Sequence, residues 1–179
     1  FADQTVQNIS ITGAVKETEI VDDITIGSGR FFTQMEINRN SNKVVIGHSI
    51  KQNLFPETDP LGQRIRINGN IFKVIGVVEE RGQFLGNNLD NICYIPIGSF
   101  FKNFGFQHYI SIKIKVPKNR KMEQTKQKVS FISRLARGLR PDEENNFSIN
   151  QQDIINQQYQ RLTGGLYTAA IGIGALSLL

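Results

Sequence analysis

Polar and apolar positions alternate most regularly between Tyr109 and Val116. Ile110, Ile112, Ile114 and Val116 share one face, and Tyr109, Ser111, Lys113 and Lys115 share the other. This period-2 pattern predicts a strand with one core face and one wet face. Shorter apolar runs predict strands at Val6–Val15, at Lys43–Ile46, at Ile92–Ile95 (ended by Pro96) and at Phe147–Ile149. A helical period replaces the alternation after Pro117. Met122, Val129, Ile132, Ala136 and Leu139 form one stripe of a helix over about Arg120–Leu139, closed by Gly138 and Pro141. Two T/S-x-x-E/Q capping boxes, Thr33 with Glu36 and Ser49 with Gln52, predict helix starts. Ile50 and Leu54 lie on one face of the second helix, and Pro56 stops it. One or two further helical turns are expected over Ser99–Phe104. A surface excursion is expected from Glu79 to Asp90.

The stretch PLGQRIRINGNIFKVIGVV, residues 60–78, spaces Gly62, Gly69 and Gly76 seven apart with Arg64, Arg66 and Lys73 between them. Phosphate loops cluster their glycines after a strand and before a helix, so that backbone N–H groups converge on the anion. Here β-formers follow each glycine. Asn68-Gly69 suits the two-residue type I′ turn, whose central residues both need positive φ. A hairpin folded there sets Ile65 opposite Phe72, and Arg64 and Lys73 share the solvated face. Asp59-Pro60-Leu61-Gly62 suits a type I turn just before it.

Composition then narrows the picture. The 179 residues, 39% hydrophobic and 21% charged, are those of a globular protein. A single cysteine, Cys93, excludes an intrachain disulfide and leaves the compartment open. Its place between Ile92 and Tyr94 predicts a buried, inert thiol. His48, His108 and Cys93 lack metal-ligand spacing. No nucleophile has a base and an orienting group beside it. The adjacent acids Asp22-Asp23 and Glu79-Glu80 would point to opposite faces if extended.

The net charge of +5 is uneven. Residues 1–29 are acidic, whereas 113–140 carry ten cations against Glu123 alone. That segment offers only Phe131 for stacking, so a partner surface or anionic headgroups are expected in place of nucleic acid. Lys126 and Arg134 are its candidate contacts, as Arg64 and Lys73 are on the hairpin. LTGGLYTAAIGIGALSLL, residues 162–179, has no charge and four glycines, which favours the start of a transmembrane helix over a buried one. Gly165 with Ala169, and Ala170 with Gly174, set small residues four apart for close helix packing or dimerisation. Asn150 can cap a helix that runs from Gln151 into this terminus. The chain opens at Phe1 without a visible signal peptide, so a longer polypeptide is expected.

The motif order GRFFT, VVIGHSIKQNLFPETDPLGQRIRINGNIFKVIGVV, ICYIPI and TGGLYTAAIGIGALSLL resembles the extracytoplasmic core domain of MacB-type ABC transporter permeases. That superfamily includes LolC/LolE-like and FtsX-like proteins, and the resemblance covers about residues 9–179. It implies an α+β fold: a mixed α/β porter-like lobe with an inserted, mainly β sabre-like lobe. On this chain the lobes are expected at 1–28 (porter, first part), 29–107 (sabre) and 108–150 (porter, second part). A stalk at 151–161 and a truncated transmembrane helix at 162–179 follow. It also implies a domain without catalytic residues, cofactor or metal, lying outside the inner membrane of a bacterium. Implied partners are an ABC-type ATPase carrying the ATP and Mg, and a second permease copy. A periplasmic adaptor with an outer-membrane channel, or a lipoprotein, completes the set. The alternative within the superfamily is an FtsX-like regulator of a cell-wall hydrolase.

Overall fold

The computed structural model describes residues 5–84, 87–106 and 110–150. The chain divides into two compact units, one through Lys115 and one from Val116.

The first unit is organised by its longest strand. Strands β1 (Ser10–Ala14), β2 (Ile26–Gly29), β3 (Lys43–Ile46), β4 (Arg64–Ile67), β5 (Asn70–Val78) and β8 (Ile92–Pro96) form one mixed sheet in the order β1-β8-β3-β5-β2, with β4 also on β5. β5 runs parallel to β3 along one side. Its other side takes β4 near the start and β2 near the end, both antiparallel. β1 is parallel to β8, and β8 antiparallel to β3. A separate hairpin joins β6 (Gln83–Phe84) to β7 (Asn87–Asn88). The helices are α1 (Thr18–Val21), α2 (Gln34–Asn38), α3 (His48–Leu54) and α4 (Ile97–Phe104). β1 and β2 share a sheet with β3, β5 and β8, so the sheet spans the 28/29 boundary drawn from sequence. The fold is α+β, as expected.

Strand alternation builds a core on each side of the sheet. Val44, Ile46, Phe72, Val74, Cys93 and Ile95 point to one side, where Ile50, Leu54 and Phe55 around α3 and Phe100 and Phe104 of α4 cover them. Val45, Val78 and Tyr94 point to the other, under Phe31, Phe32, Ile24 and Ile37 of α2. Burying one such side chain fully is worth about 1.5–3 kcal/mol.

The hairpin forms as its turn chemistry predicts. Asn68 and Gly69 have φ of 46° and 82°, and Ile65 pairs with Phe72 and Arg64 with Lys73. A Cβ at Gly69 would meet nothing within 4 Å, so Gly69→Ala tests backbone conformation alone. It is expected to cost about 1 kcal/mol in urea denaturation. A neutral result would mean that the left-handed turn does not persist in solution.

Other local expectations shift. Gln63 N–H donates to Pro60 O (3.1 Å), so the preceding turn spans Pro60–Gln63, one residue later than expected, and Asp59 Oδ1 accepts from Leu61 N–H instead. The Ser49/Gln52 capping box does not form. α3 starts two residues earlier, with Gly47 as N-cap and Ser49 inside, and the Gln52 amide meets His48 Nε2 at 3.0 Å. The glycine-serine stretch before Arg30, which by composition would suit a turn, is the edge strand β2, in which Gly27 falls out of register. β1 is shorter than Val6–Val15, and α4 begins two residues earlier than predicted. The excursion after Glu79 is tied down by buried Asp90, whose carboxylate accepts from Arg81 and Gly82 N–H at 2.8 Å each.

The second unit holds α5 (Met122–Ala136), shorter at both ends than predicted. None of its side chains is buried: of the predicted stripe Ile132 is more than half exposed and Val129 partly covered, and Phe131 and Leu135 beside it are more than half exposed. No strand forms at Phe147–Ile149.

Candidate interaction surfaces

The clearest predicted strand is not a strand in the described residues 110–116. Alternation sets facing, but a strand also needs a neighbour to complete its backbone hydrogen bonds. None pairs with this segment among the described residues. Both faces are exposed, and the lysines are the side that is held. Lys113 Nζ donates to both Asp22 carboxylate oxygens at 2.9 Å, and Lys115 Nζ to Asp23 Oδ1 and Ile20 O. The lysine side is therefore anchored on the first unit, while Ile110, Ile112 and Ile114 are 69%, 82% and 51% exposed. Asp22 and Asp23 cooperate because the chain turns there, with Asp23 at φ 48°, instead of running extended.

A charged cluster sits at the start of α2. The Thr33/Glu36 capping box forms, with Thr33 N–H donating to Glu36 Oε2 (2.9 Å) and Glu36 N–H to Thr33 Oγ1 (3.4 Å). The same Glu36 carboxylate accepts both Arg30 guanidinium nitrogens, at 2.6 and 2.7 Å, and Lys43 Nζ at 2.5 Å. The Arg30 hydrogen bonds hold the Glu36 carboxyl well below the usual carboxylate range, with Lys43 and Thr33 adding to them and burial opposing. Arg30 is raised by the same pair. The cluster pins the GRFFT segment to β3 from one buried acid. Sequence reading found Glu36 as a cap only. The signal for more was a carboxylate flanked by Arg30 and Lys43 before and after it.

On the hairpin, Arg64 and Lys73 stand directly opposite one another and both are exposed. Arg66 and half-exposed Ile71 pair next along the same face. The sequence reading stopped at Arg64 and Lys73, although extending the alternation by two residues reaches Arg66 and Ile71. On α5, Arg134 is engaged within its own unit: Nη1 donates to Asn145 Oδ1 (2.7 Å) and Nη2 to Arg140 O. Arg137 likewise holds Asn146 Oδ1 (3.1 Å) and lies over the Phe147 ring. Lys126 forms no ion pair among the described residues. Gly165, Ala169, Ala170 and Gly174 lie outside the described residues. So does the predicted membrane segment, and no described helix is long and apolar enough to cross a membrane.

Groups with chemistry of their own are dispersed among the described residues. Among the described residues no three His, Cys, Asp or Glu side chains converge as metal ligands. Cys93 is buried mid-strand, and burial pushes its thiol up to about 12. Ellman's reagent at pH 8 is therefore expected to leave Cys93 unmodified in the native protein and to titrate it fully in denaturant. Prompt reaction without denaturant would contradict the buried site.

The family described as the MacB-like periplasmic core domain matches residues 1–131, the whole six-stranded sheet and most of α5. This chain belongs to that family. Among proteins similar to this MacB-like domain is the macrolide export ATP-binding/permease protein MacB of Chlorobaculum tepidum, 26% identical over 75% of this chain and 21% of that protein. The Bdellovibrio bacteriovorus MacB is 35% identical over 49% of this chain and 14% of its own length. A probable export ATP-binding/permease protein of Pseudomonas fluorescens is 28% identical over 96% of this chain and 26% of its length. The chain thus spans about a fifth of the first of these relatives. The MacB-like fold is shared with the crystal structure of the periplasmic region of MacB from Actinobacillus actinomycetemcomitans (TM-score 0.68, 20% identity, 84% of this chain and 64% of that one). It is also shared with the extracellular domain of the noncanonic ABC-type transporter YknZ from Gram-positive bacteria (TM-score 0.60, 21% identity, 74% and 66%).

Proposed function

We propose that this chain is the extracytoplasmic domain of an ABC transporter permease. In this reading it does no chemistry of its own and passes the work of a cytoplasmic ATPase to partners beyond the membrane. The observation that carries the reading is the family match, continuous from the opening residues through the sheet into α5. Two features support it. The first unit has a covered two-sided core and a charged clamp at Glu36, which suit it to move as a stiff body. The isoleucine row at 110–114 and the α5 stripe leave apolar surface uncovered among the described residues, as expected of parts that meet other surfaces. ATP and Mg belong to the ATPase in this reading, and the permease works as a pair of copies.

The test uses the full-length polypeptide in proteoliposomes with its ATPase. Spin labels at Ile71→Cys and Phe131→Cys, both exposed, report the separation of the two units by pulsed electron resonance, and buried Cys93 stays unlabelled. The distance distribution is expected to differ between the nucleotide-free and ATP-bound states. An unchanged distribution in a transporter that hydrolyses ATP would overturn the reading.

A further inference from the structure

The hairpin carries more than a solvated face. The two-residue turn at Asn68-Gly69 makes Ile67 and Asn70 the hydrogen-bonded pair that closes it. Bonded and non-bonded pairs alternate along an antiparallel ladder, so Ile65 and Phe72 form the next bonded pair. The bond from Val74 N–H to Gln63 O (2.8 Å) keeps the same phase. Arg64 and Arg66 therefore aim their own N–H and C=O groups away from β5. Among the described residues no strand pairs with β4 on that side. The same two residues, with Lys73 and Ile71 across the ladder, present three cations and an apolar side chain on one face. None of the three cations is in an ion pair among the described residues. The neighbouring Lys43, in register with Lys73 on β3, already has Glu36.

We propose that the outer edge of β4 accepts an extended, acidic strand from a partner protein, its backbone pairing with Arg64 and Arg66 and its alternate carboxylates lying over Arg64, Arg66 and Lys73. The edge supplies main-chain hydrogen bonds, and the charged face selects the sequence. Two other occupants fit less well. A second copy of this chain would bring Arg64 and Arg66 against their own kind, and like charges directly opposite are unfavourable. Anionic headgroups would satisfy the cations and leave the edge backbone unmet. Charges on a short edge strand also guard against aggregation, but that purpose does not require a third cation and an exposed isoleucine on the adjoining strand.

The inference rests on the hairpin geometry and not on the transporter reading, so either can fail alone. The probe is a capped, fluorescent peptide of about seven residues alternating Glu and Val, followed by anisotropy with the full chain. Binding is expected for this peptide and not for its Lys-Val counterpart, and it should weaken as salt rises. The Arg64→Glu, Arg66→Glu double variant should lose about tenfold or more in affinity, with circular dichroism unchanged. Backbone pairing is tested without altering the protein, by peptides N-methylated at every Glu or at every Val. Only one set of nitrogens faces the edge, so one methylated peptide should bind and the other should not. No binding by the Glu-Val peptide overturns the proposal. So do equal binding or equal loss with the two methylated forms. Capture by phosphatidylglycerol vesicles with no peptide binding would assign the face to headgroups instead.

Discussion

Gly76→Ala is expected to destabilise the first unit by about 3 kcal/mol or more, a large loss for one methyl group. Gly76 pairs with Gly29 on one side and Val45 on the other, at the crossing of β2, β5 and β3. A Cβ there would lie 2.4 Å from Arg30 O and 3.1 Å from Arg30 C. Both contacts are backbone, so no side chain can swing aside. The ladder between β2 and β5 must open, or the Arg30 peptide must tilt and carry its guanidinium away from Glu36. Chemical denaturation reads the loss as a lower midpoint with an unchanged slope. A loss below about 1 kcal/mol would mean that β2 separates from β5 at little cost.

Glu36→Gln is expected to cost about 2–3 kcal/mol at pH 7. The amide keeps the shape and one or two hydrogen bonds, but leaves Arg30 and Lys43 without a counter-charge. Solvent recovers part of this, because the Arg30 side chain is half exposed while that of Glu36 is 11% exposed. The folded-state pKa of Glu36 is depressed, so its contribution is whole above the unfolded value near 4.3 and fades as pH falls toward the folded value. The stability gap between the two proteins should therefore be widest near neutrality and narrow steadily below about pH 4. A gap of the same size at pH 7 and pH 3 would sink the assignment of the effect to the ionised carboxylate.

Sequence reading reached the features fixed by neighbours along the chain. The Asn68-Gly69 turn, the Thr33/Glu36 cap, the stop before Pro56 and the buried β3 and β8 all follow from local chemistry, and all are present. It failed where the decision lies with a distant partner. Ile110–Val116 has a better alternation than any strand that forms, yet it has no neighbour to pair with among the described residues. β2 looks like a turn in one dimension and becomes a strand because β5 is long enough to hold it. Gly76 reads as one of three evenly spaced glycines, and only the approach of Arg30 shows that two are turn residues while the third is a spacer between backbones. The candidate surface was half legible. Arg64 and Lys73 share a face by alternation, but the outward phase of Arg64 and Arg66 needs the ladder register. Arg134 read as free charge because its acceptors, Asn145 and the Arg140 carbonyl, are uncharged.

The pairing of β1 with β8 sets a schedule for biogenesis. Ser10 is made well before its ladder partner, Ile92. While synthesis proceeds, β3 and β5 can join as soon as both have emerged, but the edge of β3 that β8 later fills stays open. A ribosome stalled before Ile92 would hold a chain with one loose strand and one unfilled template, each suited to capture by another nascent copy. A stall once Pro96 has emerged would hold a closed sheet. Synonymous slow codons should therefore be tolerated far better where Pro96 has already left the ribosome than where Ile92 has not.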